Sequence, residues 1–456
     1  MGRAAAAAAV AGRRSAAADS ARAAARGRRR AGARAQARGA RGAHVAARRR
    51  RSAHVPVARR GGPAARDRSV RGRRGAAASA GRGRSVRRAR RVMRVVHVTR
   101  GFPPRCIGGM STAVDAIVAI HRDAGWCVGV VSFDGYRARA AGAVAPRVRQ
   151  DGAGGWIVRV LGAASADEAR ARIVAFAPDV VYLHHGTLWS EVDDACRRVG
   201  ARVVAVAHVC QAVQAALRGV RSVPRSVAAQ RALLRAADEV IAPSRAAADA
   251  LAADVPECAS RLRVAALPVP DCAAALAAAG PPARGGPILY AGRFSDVNGT
   301  AEWIAAIPAV ARACPRARFV VAGGVPENPR ADARWRARFS ASAPQAELVG
   351  WLGRDALARH YAGASIVVVP SWFETFGLTA VEAMCRGRAV VATAAGALVD
   401  HVEPGVTGVL VPPRDPVVLA EAVAALARDP DRAIALGTAA AAAARRRYCS
   451  PTTSWP

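Results

Sequence analysis

The sequence predicts an α/β protein of two consecutive doubly wound domains facing one cleft, behind a basic segment with no core of its own. Three observations carry this. From Met93 onward, short continuous runs of Val, Ile and Ala alternate with helical stretches, the pattern of parallel strands covered on both faces. That series breaks once, at a Pro/Gly-rich stretch, and then begins again. Residues 1–92 hold 28 of the 69 basic residues but two of the 32 acids, Asp19 and Asp67.

In the first Rossmann-like domain, 93–268, strands are expected at 94–99 (RVVHVT), 127–132 (CVGVVS), 156–161, 179–184, 202–207 and 238–242, with helices at 111–123 and around 227–237. The stretch 269–286 reads as a linker, because LPVP at 267–270 and PPARGG at 281–286 bracket a short Ala-rich piece. The second Rossmann-like domain, 287–435, carries strands at 287–292 (PILYAG), 317–323, 365–370 (SIVVVP), 388–393 and 407–411, and helices at 301–314, 355–362, 378–386 and 416–428. A tail, 436–456, is helical at 439–447 and then stops abruptly. Ligands of open α/β sheets sit beyond the carboxyl ends of the strands, so two such domains on a hinge define a cleft.

The segment 1–92 has few apolar residues larger than Val and cannot bury enough surface to offset its ordering entropy, so disorder with transient Ala-rich helix is expected. It reads first as a low-complexity leader ahead of Met93, second as an Arg-rich transit peptide, third as a nucleic-acid-binding arm. The arginines at 48–51 suit phosphate, but no aromatic residue is interleaved for base stacking, which argues against nucleic acid as a partner.

Composition excludes whole classes of chemistry. The net charge is +37, and all 69 basic residues are arginine. Without lysine there is no Walker A phosphate loop, no Schiff-base aldolase or pyridoxal enzyme, and no protein kinase. No apolar run is long enough to span a membrane. The nine cysteines contain no Cys-x-x-Cys pair, which argues against a disulfide framework or a zinc site and for a reducing, cytoplasmic location.

The strongest constellation is SWFETFGLTAVEAM, 371–384, which leaves a strand and opens a helix. Glu374 and Glu382 stand before and inside that helix, roughly 10 Å apart by helical rise, comparable to a sugar–diphosphate–ribose unit. The amides around Phe376, Gly377, Leu378 and Thr379 lie at the helix N-terminus, where unpaired N–H groups and the dipole favour phosphate. A second loop, GRFSDVNGT at 292–300, follows another strand and offers Arg293 for bidentate phosphate contact. In the first domain, Gly108 and Gly109 permit close backbone approach, and Ser111 or Thr112 is placed to cap the following helix. His208 stands at a strand's carboxyl tip. His184 and His185 stand at another without a third ligand for a metal, and His97 and His121 read as core or surface.

These motifs resemble the retaining glycosyltransferases of family four, which have the two-domain GT-B fold. The resemblance runs from Met93 to about Arg428 and rests on Pro370-Ser371 followed by Glu374 and Glu382, on RGRAVVAT at 386–393, and on Gly405 with GVLV at 408–411. It implies hexosyl transfer from a nucleotide-sugar donor to a hydroxyl acceptor (glycan, lipid or small molecule). The reaction would retain configuration and use neither metal nor cofactor, the nucleotide sugar being a substrate. Catalysis would rest on His208, Glu374 and Arg293. The donor would be held by Gly109, Arg293, Asn298, Val349, Glu374, Phe376, Gly377, Leu378, Thr379 and Glu382, with Glu374 on the sugar and Glu382 on the ribose.

Two departures stand out. Asn298 occupies the place of the family's usual lysine, and a lost charge-assisted contact there would cost about 2–4 kcal/mol of transition-state stabilisation unless another arginine substitutes. Val209 and Cys210 follow His208 where an aspartate is usual. Both motivate an alternative, a degenerate nucleotide-sugar binder without turnover. A sugar-nucleotide epimerase of the same fold fits the motifs less well. The basic core is compatible with peripheral contact to anionic membranes.

Overall fold

The computed structural model describes residues 91–104, 108–134, 147–150, 154–161, 163–269, 272–278, 280, 284–448 and 455, all within one compact unit. The disorder expected for 1–92 therefore lies, except for its last two residues, outside the described residues, as does the tail beyond Tyr448 apart from Trp455.

The first lobe is an eight-stranded sheet of β1 (Arg94–Thr99), β2 (Cys127–Ser132), β3 (Arg147–Gln150), β4 (Trp156–Arg159), β5 (Val180–Leu183), β6 (Arg202–Val206), β7 (Glu239–Ala242) and β8 (Leu262–Val264). Its order is β3-β4-β2-β1-β5-β6-β7-β8, parallel except for the β3–β4 pair. The second lobe is a six-stranded parallel sheet of β9 (Ile288–Arg293), β10 (Phe319–Gly324), β11 (Ala346–Gly350), β12 (Ile366–Val369), β13 (Ala389–Thr393) and β14 (Gly408–Val411), in the order β11-β10-β9-β12-β13-β14. Strand order therefore reverses beside β1 in one lobe and beside β9 in the other. The loops that leave β1, β5, β9 and β12 are the ones placed to hold ligands.

The central strands are the continuous apolar runs of the sequence, buried along nearly their whole length: Val95, Val96 and Val98 on β1, and all four residues of β12. The sequence reading lacks β3, β8 and β11 as strands. All three are sheet edges, where one side has no strand partner among the described residues and the polar runs RVRQ, LRV and AELVG suffice. It also lacks helix Pro329–Ser342, whose arginine-rich sequence buries Phe339 alone.

One buried core lies on the outer face of each lobe, and a third runs from helix Gly109–Asp123 through Leu267, Cys272 and Leu276 to helix Leu378–Cys385. The linker holds a short helix, Cys272–Ala277, which packs on helices Leu378–Cys385 and Pro430–Tyr448 and brings Cys272 Sγ within 2.7 Å of Cys385 Sγ. Arg388, buried at the start of β13, donates to the carbonyls of Arg386, Ala362, Ala364 and Gly280 and so ties linker to lobe. Helix Pro430–Tyr448 runs unbroken through residues 435 and 436, where the sequence reading placed a boundary. Beyond it, the buried Trp455 donates its ring N–H to the Ala266 carbonyl at 2.9 Å, anchoring the tail to the strand-closing segment of the first lobe.

Candidate active site

The loops after β9 and β12 leave neighbouring strands and are bonded to each other. Trp372 donates its backbone N–H to Val297 (2.7 Å) and its ring N–H to Glu302 (2.8 Å). Within the second loop, Glu374 Oε1 accepts from the Ser371 hydroxyl at 2.8 Å, and the Glu374 carbonyl accepts from Ala397 N–H at 2.9 Å. Burial raises the Glu374 carboxyl above its ordinary value, and the Ser371 bond opposes that rise. Gly377 then turns the chain with φ 81°, a left-handed conformation, and helix Leu378–Cys385 starts. The Phe376 carbonyl is held by the His401 ring, and Thr379 Oγ1 reaches the Ala291 carbonyl of β9 at 3.5 Å. One turn on, the half-buried Glu382 lies beside the buried Tyr361 hydroxyl, whose pKa is held well above the usual value by burial and then by Glu382.

In the β9 loop, Arg293 is half-exposed and ion-paired with Glu327. Burial and then the charge of Arg218 lower its pKa, so two arginines from opposite lobes sit close enough to repel. Asn298 turns its side-chain amide back onto the Arg293 carbonyl at 2.9 Å, and its own N–H bonds Ser295 Oγ at 3.2 Å. It thus shapes the loop that carries Arg293.

The first lobe meets this surface at several points among the described residues. A Cβ on Gly109 would lie 3.4 Å from Leu378 Cδ2, and one on Gly108 would lie 3.8 Å from the Trp351 ring. Thr375 Oγ1 donates to the His208 carbonyl at 2.6 Å. Arg414 stacks on Trp372 at 4.0 Å and donates to the Leu217 carbonyl at 2.5 Å, beside Arg218. The structure therefore brings Gly109 against Leu378, His208 against the loop that carries Glu374, and Arg293 near Arg218 of the opposite lobe; Phe376, Gly377, Thr379 and Glu382 lie on the same loop and helix, with their contacts above inside the second lobe. Val349 stands at the end of edge strand β11, half-buried against the shared core and two residues from Trp351.

Helix Gly109–Asp123 starts earlier than expected. Gly108 is its N-cap and no side chain caps it, so Ser111 and Thr112 lie in its first turn rather than capping it. The residues that sequence reasoning missed here are Trp351, Arg218, Glu327 and the Trp372–Arg414 stack. Trp351 and Trp372 carried a usable signal as loop tryptophans in a chain with eight of them; an arginine among 69 carries almost none. Among the described residues, no three His, Cys, Asp or Glu side chains converge so as to hold a metal ion.

Comparison with known proteins places both lobes. The family model described as Glycosyltransferase Family 4 matches residues 107–282, and the one described as Glycosyl transferases group 1 matches 286–429. Among curated relatives, D-inositol 3-phosphate glycosyltransferase 1 of Catenulispora acidiphila is 46% identical over 99 residues, 22% of this chain and 22% of that protein. D-inositol 3-phosphate glycosyltransferase of Kribbella flavida is 41% identical over 131 residues, 27% of this chain and 31% of the relative. The chain thus spans about a fifth to a third of the length of these relatives. Among solved structures, sucrose-phosphate synthase from Thermosynechococcus elongatus covers 78% of this chain and 95% of its own at 22% identity, with a TM-score of 0.65. Anabaena HepE in complex with UDP-glucose does so over 78% and 95% at 16% identity, with a TM-score of 0.59.

Proposed function

This chain belongs to the group 1, family 4 glycosyltransferases of GT-B fold, and from that membership we propose that it transfers a sugar from a nucleotide-sugar donor to a hydroxyl acceptor with retained configuration. The single observation that carries the reading is the meeting of the Glu374–Thr379 loop with Gly109 and His208 of the opposite lobe. That junction brings a half-buried carboxylate and a helix N-terminus beside a cationic pair. Glu374 takes the donor sugar, Glu382 the ribose, and the start of helix Leu378–Cys385 the phosphates. Arg293 faces the diphosphate, and Arg218 supplies from across the cleft the second positive charge that Asn298 lacks.

In this reading the bond from the anomeric carbon to the diphosphate oxygen breaks as the acceptor oxygen bonds on the same face. The departing diphosphate oxygen takes the acceptor's proton. The protein contributes position, charge stabilisation and exclusion of water, and the step runs without a metal. The neighbour solved with UDP-glucose makes a UDP-sugar the first donor to try, and the relatives' names make a phosphorylated inositol the first acceptor.

The test is nucleotide release from UDP-, GDP- and ADP-glucose, with and without inositol phosphate, with the product anomer read by NMR. Acceptor-dependent release with retained configuration supports the proposal. Tight nucleotide-sugar binding with no release across an acceptor panel would leave the binding protein instead.

A further inference from the structure

Four histidines far apart in sequence form one continuous row in the first lobe. His121 Nδ1 lies 3.0 Å from His97 Nε2, His97 Nδ1 lies 2.9 Å from His184 Nε2, and His184 Nδ1 lies 2.9 Å from His208 Nε2. Successive ring centroids are 5.1, 5.2 and 5.2 Å apart. That spacing follows from the sheet. His97 sits on β1, His184 just past β5 and His208 just past β6, and these three strands are neighbours about 4.8 Å apart. His121 completes the row from helix Gly109–Asp123, stacked on Trp126 at 4.4 Å, and Tyr182 stacks on His97 at 4.9 Å. All four are at least nine-tenths buried.

Burial first, and the cost of charging a second imidazole beside its neighbours next, hold His97 and His184 well below the ordinary histidine value, while burial and then His185 push His208 down to about 3. Those rings are therefore neutral near pH 7, each with one N–H and one bare nitrogen. Each N···N contact needs one proton and no more. If His97 carries its proton on Nε2, His184 and His208 must also carry theirs on Nε2, and His208 Nδ1 is bare. If His97 carries it on Nδ1, so must the other two, and His208 Nδ1 is a donor. No mixed arrangement keeps the row bonded. The choice is made at His121 Nδ1, which gives or receives the first proton. At the far end, His208 Nδ1 is buried and has no hydrogen-bond partner among the described residues, an expensive state unless a ligand completes it. The His208 backbone is bonded to Thr375, the residue after Glu374.

We propose that His121, His97 and His184 are positioning residues that act as one two-state relay, deciding whether His208 offers a hydrogen-bond acceptor or a donor at Nδ1. As a contribution to sugar transfer this rests on the function proposed above; as a property of the row it does not. An acceptor Nδ1 orients a substrate hydroxyl by taking its hydrogen bond; a donor Nδ1 orients it the other way. Both states hold one N–H on every ring; passing from the acceptor to the donor state takes up one proton from water at His208 Nδ1 and gives up one to water from His121 Nε2, with an N–H broken and an N–H formed on each ring and no net change in their charge.

Long-range 1H–15N correlation spectra of the full chain, with its histidines 15N-labelled and no ligand present, read each ring's tautomer directly. His97, His184 and His208 should share one tautomer. In His121→Phe the His208 ring nitrogens should shift although three contacts separate the two residues. His121→Gln, whose amide can give or take the bond, should restore them. Within nucleotide release, His121→Phe should lower kcat about 10-fold with the donor KM within about twofold. Mixed tautomers in the unmodified protein, or His208 resonances indifferent to His121→Phe in a folded variant, would overturn the relay. Failure of all donors to release nucleotide would instead sink the transferase reading and leave the spectra to decide the relay.

Discussion

Gly396 holds Glu374 from behind, and replacing it with alanine isolates how much the site depends on that grip. Gly396 has φ 59°, and a Cβ there would lie 2.1 Å from the Glu374 carbonyl oxygen and 2.8 Å from its nitrogen. Carbon and oxygen come no closer than about 3.3 Å, so the Glu374 backbone must retreat by about 1 Å. The left-handed conformation costs an alanine about 1–2 kcal/mol. Retreat also breaks the Ala397 N–H bond to the Glu374 carbonyl, about 1 kcal/mol more. Gly285 is the control, with φ 68° and nothing within 4 Å of an added Cβ, so Gly285→Ala meets the conformational term alone. Urea unfolding should therefore place Gly396→Ala about 2–3 kcal/mol below the parent and Gly285→Ala about 1–2. With Glu374 on the donor sugar as proposed, its misplacement by about 1 Å should cost about 100-fold in kcat/KM for Gly396→Ala and nothing for Gly285→Ala. If the two variants transfer sugar equally well, Glu374 is not positioned by this turn and the argument fails.

Glu374→Gln keeps the Ser371 bond and removes the charge of a half-buried carboxylate, so transfer should fall about 10²–10³-fold while the fold is not weakened. Because the folded pKa is raised, the stability this carboxyl contributes is present below its ordinary value and lost as pH rises through the raised one. Thermal melts across roughly pH 4 to 8 should therefore show the variant's Tm rising relative to the parent's as pH rises, and a variant Tm that falls relative to the parent's would contradict the burial assigned to Glu374. Arg293→Ala should weaken UDP binding by about 1.5–3 kcal/mol in titration calorimetry, and Arg218→Ala should cause a smaller loss that fades with salt; an Arg218 effect independent of salt would refute its role as a cross-cleft charge. The buried thiols of Cys272 and Cys385 should close to a disulfide under a mild thiol oxidant in the full chain, and non-reducing peptide maps without that pair would contradict the packing of the linker helix.

What the sequence made legible was whatever one strand and its following loop encode together. Glu374, Gly377 and Glu382 lie within nine residues that leave β12, and the alternation of a buried run, a turn glycine and an apolar helix face announces that unit without tertiary information. Central strands were legible for the same reason, since burial on both faces writes itself as an unbroken apolar run. Edge strands β3, β8 and β11 were not, because half of each faces solvent and nothing in RVRQ or LRV separates strand from loop.

The contacts between lobes obey a different logic. Arg218 comes to the second lobe because Arg414 holds the neighbouring Leu217 carbonyl, 197 residues away, and no local pattern marks that arginine among the rest. The histidine row is the sharper case. Read singly, His97 and His121 are core or surface histidines and His184 is a strand tip; the structure buries all three. Their joint meaning needs the strand order β1-β5-β6, which turns separations of 87 and 24 residues into contacts of 2.9 Å. A parallel doubly wound sheet makes such coincidences systematic. Residues at the same height on neighbouring strands become neighbours however long the crossover between them, so polar residues at equivalent heights on consecutive strands can be tested for side-by-side contact once strand order is known.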